Sequence, residues 1–123
     1  MVVAPYFKGK RGAYMKGRYN RTKWIVWIAM YLDHQVDPNR WLSVSEIADL
    51  SGMSLDYISV KIHEWVQYLY LKKHHGIGKG NHLAWKYMIA QDGKDYVLNT
   101  IPPEAFDYIT KLLKEHQNKQ KGG

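Results

Sequence analysis

The sequence predicts a mainly α-helical domain carrying one small β-hairpin. Three observations lead there: two short amphipathic helical patterns separated by a single glycine within residues 43–71, a glycine-rich loop at Gly76 to Asn81 followed by a strictly alternating segment, and further helical patterns on either side. At 123 residues the chain is one domain's worth, and 46% hydrophobic residues with 14% aromatics suffice for a core.

Arg21 to His34 reads as the first helix. Trp24, Ile25, Trp27, Ile28, Tyr31 and Leu32 crowd one side at three-four spacing, with Asn20 or Thr22 as the cap. Part of this tryptophan-rich face is available for an interface as well as for the core. Asp37-Pro38-Asn39 marks a turn, and Trp41-Leu42 forms a minimal strand that pairs with the hairpin.

The central pair of helices carries explicit start and stop signals. Ser43 and Glu46 have the spacing of a capping box, in which the hydroxyl accepts from a first-turn amide and the carboxylate reaches back to the cap residue's own N–H. A helix beginning near Val44 follows, with Val44, Ile47, Ala48 and Leu50 inward and Glu46 and Asp49 outward. Gly52 ends it, since glycine takes the left-handed conformation without a Cβ clash. Ser54 caps the next helix, and Asp56 in its first turn suits the positive end of the macrodipole. Ile58, Ile62, Trp65 and Leu69 then fall on one stripe, the expected buried face, which leaves Leu55, Asp56, Tyr57, Ser59, Val60, Lys61 and His63 on or near the other side. Two helices joined in this way read as a helix-turn-helix, a unit that presents its second helix to a groove of nucleic acid, the alternative being an amphipathic helix pair within an all-helical bundle.

Three glycines among residues 76–80 cannot continue a helix, at about 1 kcal/mol each relative to alanine, so a loop is required there. After it, Leu83, Trp85, Tyr87 and Ile89 alternate with Ala84, Lys86, Met88 and Ala90, the period of a strand. A short strand near Tyr70 to His74 completes a hairpin with a basic tip.

This order of elements resembles the winged helix-turn-helix family of DNA-binding domains, of the bacterial and archaeal transcriptional-regulator type. The resemblance covers roughly residues 20–100 and rests on SVSEIADLSGMS, on the helix ending in YLYLKKH, on the hairpin through GIGKGN, and on IAQDGKDYVLN at Ile89 to Asn99, where Gly93 and Tyr96 match a common family ending. It implies a three-helix core plus a wing, with an additional C-terminal helix. Two positions depart from the pattern. Ala90 stands where threonine or serine is usual, which leaves the cap of the following helix open. Tyr68, Leu69, Tyr70 and Leu71 occupy the place of a glycine that often starts the wing, so either the helix runs longer here or the hairpin begins later.

Pro102 and Pro103 stop one element and permit another, and Glu104 to His116 reads as a final helix with Phe106, Ile109, Leu112 and Leu113 as its stripe. Such a helix docks on its own domain or on a second subunit. The resemblance favours the latter, a homodimer. The expected organisation is a basic flexible arm at 1–20, the winged helix-turn-helix at 21–100, a C-terminal helix and dimerisation element at 101–118, and a disordered tail at 119–123.

Charge gives an independent argument for a polyanionic partner. Eighteen lysines and arginines against eleven acids leave +7. Residues 8–23 hold Lys8, Lys10, Arg11, Lys16, Arg18, Arg21 and Lys23 without an acid, interleaved with glycines and the aromatics Tyr14 and Tyr19. They read as an arm that follows phosphates or enters a minor groove, the alternative being a solvated, disordered tail that aids solubility. A second basic cluster on the hairpin comprises Lys72, Lys73, His75, Lys79, His82 and Lys86, the groups expected to hold phosphates without reading sequence. Base edges are left to the second helix, to Ser54, Asp56, Tyr57, Ser59, Lys61 and His63.

Other chemistry finds little support. The chain has no cysteine, which excludes thiol catalysis, cysteine-ligated zinc and disulfides. His74, His75 and His82 suggest a metal only until strand geometry is considered, because adjacent residues point to opposite faces. His63-Glu64 lacks a zinc protease's second histidine, and GIGKGN lacks the Gly-Lys-Ser/Thr ending of a P-loop. No catalytic residue, metal or cofactor is expected. Without a signal peptide or an apolar run long enough to span a bilayer, the expected setting is cytoplasmic and nucleoid-associated. The expectation is therefore a protein of double-stranded DNA, a regulator or a chromosome-associated protein. RNA binding is the first alternative, and a protein-interaction module the second.

Overall fold

A computed structural model describes residues 11–77 and 83–122, with side chains for 22–77 and 83–120. Five helices and a two-stranded antiparallel hairpin follow one another in these residues: α1 Arg11–Val36, α2 Val44–Ser51, α3 Leu55–Gln67, β1 Leu71–Ile77, β2 Leu83–Ile89, α4 Gln91–Asn99 and α5 Pro103–Gly122. No helix among them is long and apolar enough to cross a membrane.

α1 is the axis around which the rest is packed. Val26, Trp27, Ile28, Ala29 and Met30 are five consecutive buried residues. Only a helix enclosed on several sides can bury a full turn in this way. α2, α4, α5 and β2 all contact it, so the one-sided stripe expected of this helix is in fact a wrapped segment. Trp27 lies at the centre, its ring 5.8 Å from Trp65, 4.8 Å from Tyr70 and 4.8 Å from Tyr96. These contacts draw α3, the turn after it and α4 onto one indole, and the edge-on pairs among them are the favoured geometry of aromatic quadrupoles.

The capping signals act as their spacing implies. Ser43 N–H donates to Glu46 Oε1 at 2.8 Å while Glu46 N–H donates to Ser43 Oγ at 3.1 Å, closing the box. Gly52 has φ +74° and donates its N–H to the Ala48 carbonyl. Ser54 Oγ accepts from Tyr57 N–H at 3.1 Å. Ile58, Ile62 and Trp65 are buried as expected.

Leu69 is not. It is 64% exposed, because α3 ends at Gln67, before the stripe that spacing carried on to Leu69. The chain reverses through Tyr68 to Tyr70, with Leu69 itself at φ +67°. The missing glycine neither lengthens the helix nor removes the turn. Leucine adopts the left-handed conformation instead, which costs roughly 1–2 kcal/mol through its Cβ, and the turn is held by Leu69 N–H to Val66 O and Tyr70 N–H to Trp65 O, both 3.0 Å.

The hairpin register pairs Leu71 with Ile89, Lys73 with Tyr87, His75 with Trp85 and Ile77 with Leu83. Leu42 adds a third, single-residue rung: it exchanges both backbone hydrogen bonds with Tyr87, at 2.8 and 2.7 Å, as the reading of Trp41-Leu42 anticipated. α4 then follows without a side-chain cap, since Ala90 has no hydroxyl to offer. Gly93 is fixed by close approach: a Cβ there would overlap the Tyr70 carbonyl and come within 2.8 Å of Ile89 Cγ1.

Both ends of the chain differ from expectation. α1 starts at Arg11, so the stretch read as a flexible arm is helical from there onward; Lys8 and Lys10 lie outside the described residues. α5 continues to Gly122 in place of a tail from 119. Its stripe is buried within the same chain except at Leu112, which is exposed. Ile109 and Leu113 are core residues, Phe106 packs against them, and α1 and α2 form the surface beneath.

Candidate nucleic-acid interface

α3 has one buried and one open side, and the open side is what the helix pair presents. Asp56, Ser59, Val60, His63 and Gln67 are exposed at spacings of three, one, three and four, opposite Ile58, Ile62 and Trp65. Three of the expected base-facing residues are placed differently in part. Tyr57 is half-buried, its ring 6.1 Å from Trp65 in an edge-on pair, and so belongs to the core side of the helix. Ser54 is exposed, but its oxygen serves the cap. Lys61 is half-buried with Nζ 3.8 Å from Glu64, which offsets its charge. Asp56, Ser59 and His63 remain as the polar groups that face outward.

On the hairpin, Lys72, Lys73 and His75 are exposed. Lys86 corrects the expectation. Its stem crosses Gly76, and its ammonium lies 3.7 Å from Glu46 Oε1, so it ties β2 to the first turn of α2 and does not reach outward as a free phosphate ligand. Burial raises the Glu46 carboxyl, but the hydrogen bonds from Ser43 and the charge of Lys86 prevail and hold it below its ordinary value. Lys79 and His82 lie outside the described residues. Arg11, Lys16, Arg18 and Arg21 fall on the first turns of α1.

His34, in the last turns of α1, is held below its ordinary imidazole value by burial and then by the ammonium groups of Lys94 and Lys72.

Sequence reasoning missed two close contacts between imidazole and indole rings, both tilted. His74 lies against Trp41 with centroids 3.8 Å apart, and Lys72 Nζ is 5.9 Å from the same indole. His75 lies against Trp85, also at 3.8 Å, with Lys73 Nζ 4.3 Å from that ring. Each face of the hairpin thus has a tryptophan against one of its imidazoles, with a lysine ammonium near the indole. The two histidines are drawn to different tryptophans and do not converge, and among the described residues no group of three metal-ligating side chains comes together. The alternation of the strands was visible in the sequence, but pairing His75 with Trp85 requires the register across the loop.

Away from this surface, a cleft of about 360 Å³ lies between α1, α2 and α5, walled mainly by Ala29, Leu32, Leu50 and Leu113. Asp33 lines it and pairs with Arg40 at 3.4 Å. Burial raises its carboxyl above the ordinary value, with Arg40 opposing.

No protein-family model matches the sequence, and no curated protein matches it.

Proposed function

We propose that this protein binds double-stranded DNA as a winged helix-turn-helix, with α3 in the major groove and the hairpin on the flanking phosphates. The observation that carries the proposal is the open stripe of Asp56, Ser59, Val60 and His63 on a helix anchored by its opposite side, followed directly by a hairpin with exposed Lys72 and Lys73. The order of helix, single rung at Leu42, helix pair and hairpin agrees with that architecture, and the formal charge of +7 suits a polyanion. Carboxylate, hydroxyl and imidazole groups match base-edge donors and acceptors, and Val60 suits a thymine methyl. A regulator or chromosome-associated role in the cytoplasm belongs to the same proposal.

A homodimer fits it too: Tyr108 and Leu112 are exposed one turn apart on α5, on the side not taken by Ile109 and Leu113. A protein-interaction role has its own supporting observation, the exposure of both Leu55 and Val60 on α3.

The test is a titration against random-sequence duplexes at two salt concentrations, with sequencing of the bound fraction. Ser59→Ala and His63→Ala should relax sequence preference. Lys72→Gln and Lys73→Gln should weaken all duplexes alike, each flattening the log–log salt slope by about 0.9. Absence of duplex binding at low salt, or indifference to all four changes, would refute the docking scheme.

A further inference from the structure

One row of side chains on the hairpin begins in the core and ends in solvent. Leu71, Ile89 and Tyr87 are buried at its base. Beyond them the same face carries Lys73, His75, Trp85, Ile77 and Leu83, because residues paired across an antiparallel ladder share a side and alternate residues of each strand repeat it. Trp85 is 43% exposed, Ile77 62% and Leu83 70%. An apolar surface this far along a two-stranded ribbon adds nothing to the core of its own domain.

We infer that this face is a stacking platform for unpaired bases, and that the protein holds single-stranded nucleic acid on the Trp85 side of the hairpin. The inference rests on the proposal of a nucleic-acid partner and specifies a second mode of contact. Three features converge. The indole is partly open to solvent. Lys73 Nζ lies over the ring, 4.3 Å from its centroid, and the His75 ring lies against it at 3.8 Å with the planes tilted by 35°, so a base stacks on the part of the indole these two leave exposed, with an ammonium and an imidazole next to its phosphate. Ile77 and Leu83 extend the apolar surface toward the hairpin tip, giving a neighbouring base or sugar something to cover. Duplex DNA keeps its base faces occupied by stacking, so only unpaired nucleotides can use such a surface. The charge around the ring selects a polyanion over a neutral apolar partner.

The experiment measures binding of the full chain to an oligo-dT, an oligo-rU and a blunt duplex of equal length, with wild type, Trp85→Ala and Trp85→Phe. Trp85→Ala should weaken both single strands roughly fivefold to a hundredfold, the range expected for one base–aromatic stack, with duplex affinity changed less than twofold. Trp85→Phe should restore most of the loss. A greater loss on one single strand than on the other identifies DNA or RNA as the natural source of the base. As a measurement on the unaltered protein, photocrosslinking of a bromodeoxyuridine oligonucleotide should map to Trp85. Single-strand binding unaffected by Trp85→Ala, or a crosslink that maps elsewhere, overturns the inference while leaving duplex binding by α3 intact. Trp85-dependent binding of single strands without duplex binding sustains the inference and removes the groove-docking scheme. Failure to bind any of the three at low salt ends both.

Discussion

His116 Nε2 lies 2.7 Å from the backbone carbonyl oxygen of Asp49. A carbonyl can only accept, so Nε2 carries the proton and donates it. One residue on, Gln117 Nε2 donates to the Leu50 carbonyl at 3.2 Å. The last turn of α2 leaves its carbonyls without intrahelical partners, and the terminal helix supplies two of the missing donors from 67 residues away in sequence. This joins α5 to the helix pair through polar contacts as well as through Ile109 and Leu113. His116→Ala should lower the free energy of unfolding by about 1 kcal/mol, the usual worth of one such hydrogen bond, as read from the urea midpoint. Leu113→Ala, a buried truncation, should cost about 2–5 kcal/mol. A His116→Ala protein as stable as wild type would mean that the docking is carried by the apolar stripe alone.

Leu69 occupies a conformation suited to glycine, at φ +67° with its side chain 64% exposed. Leu69→Gly relieves the Cβ strain and forfeits little packing. The gain is reduced by the extra freedom of glycine in the unfolded chain, leaving a net stabilisation of roughly 0.5–1 kcal/mol. Leu69→Ala keeps the Cβ and should show no such gain, which makes the pair diagnostic in a thermal melt.

Ala90 is the N-cap of α4 in extended geometry, φ −90° and ψ 172°, with no side-chain oxygen to accept from the first turn. Ala90→Ser supplies that acceptor and should stabilise the protein by about 1 kcal/mol. An unchanged or lowered melting temperature would show that the half-buried surroundings of Ala90 do not admit the hydroxyl in its capping rotamer.

His34 gives stability a pH dependence. Its imidazole is held below the ordinary 6.5, first by burial and then by Lys94 and Lys72, with Asp33 working the other way. Nδ1 is buried with no hydrogen-bond partner, so protonation would place an unpaired N–H there. The unfolded chain takes up a proton near 6.5 that the folded chain refuses, and stability therefore falls as the pH drops below 6.5, levelling off once the lower folded value is passed. His34→Asn, which cannot titrate, should remove this part of the loss when urea midpoints are compared between pH 6.5 and about pH 5. Glu46 acts in a separate window. Its carboxyl is depressed from 4.5, so its contribution is present above that value and is lost as the pH falls through the folded one. Asp33 runs opposite to both: its raised carboxyl removes stability as the pH climbs from 3.8 through its folded value. A midpoint that falls equally in wild type and His34→Asn would assign the slope elsewhere.

What was legible in the sequence was local. The Ser43–Glu46 box, the left-handed Gly52, the Ser54 cap, the stripe Ile58, Ile62 and Trp65, and the Leu42 rung all follow from groups within a turn of one another or from the alternation of a strand, and each stands where its spacing put it. Of the candidate interface, the outward positions of Asp56, Ser59 and His63 and the exposure of Lys72, Lys73 and His75 were legible for the same reason. What only the tertiary structure decided depends on neighbours distant in sequence. α1 buries five consecutive residues because four elements surround it, Tyr57 turns to Trp65, Lys86 is taken by Glu46, and α5 settles on α2 through His116. The rings of His75 and Trp85 meet only because the hairpin closes in one register. Capping and periodicity are written into a few adjacent residues, whereas burial, ion pairing and stacking are settled by which surfaces the packed chain brings within reach.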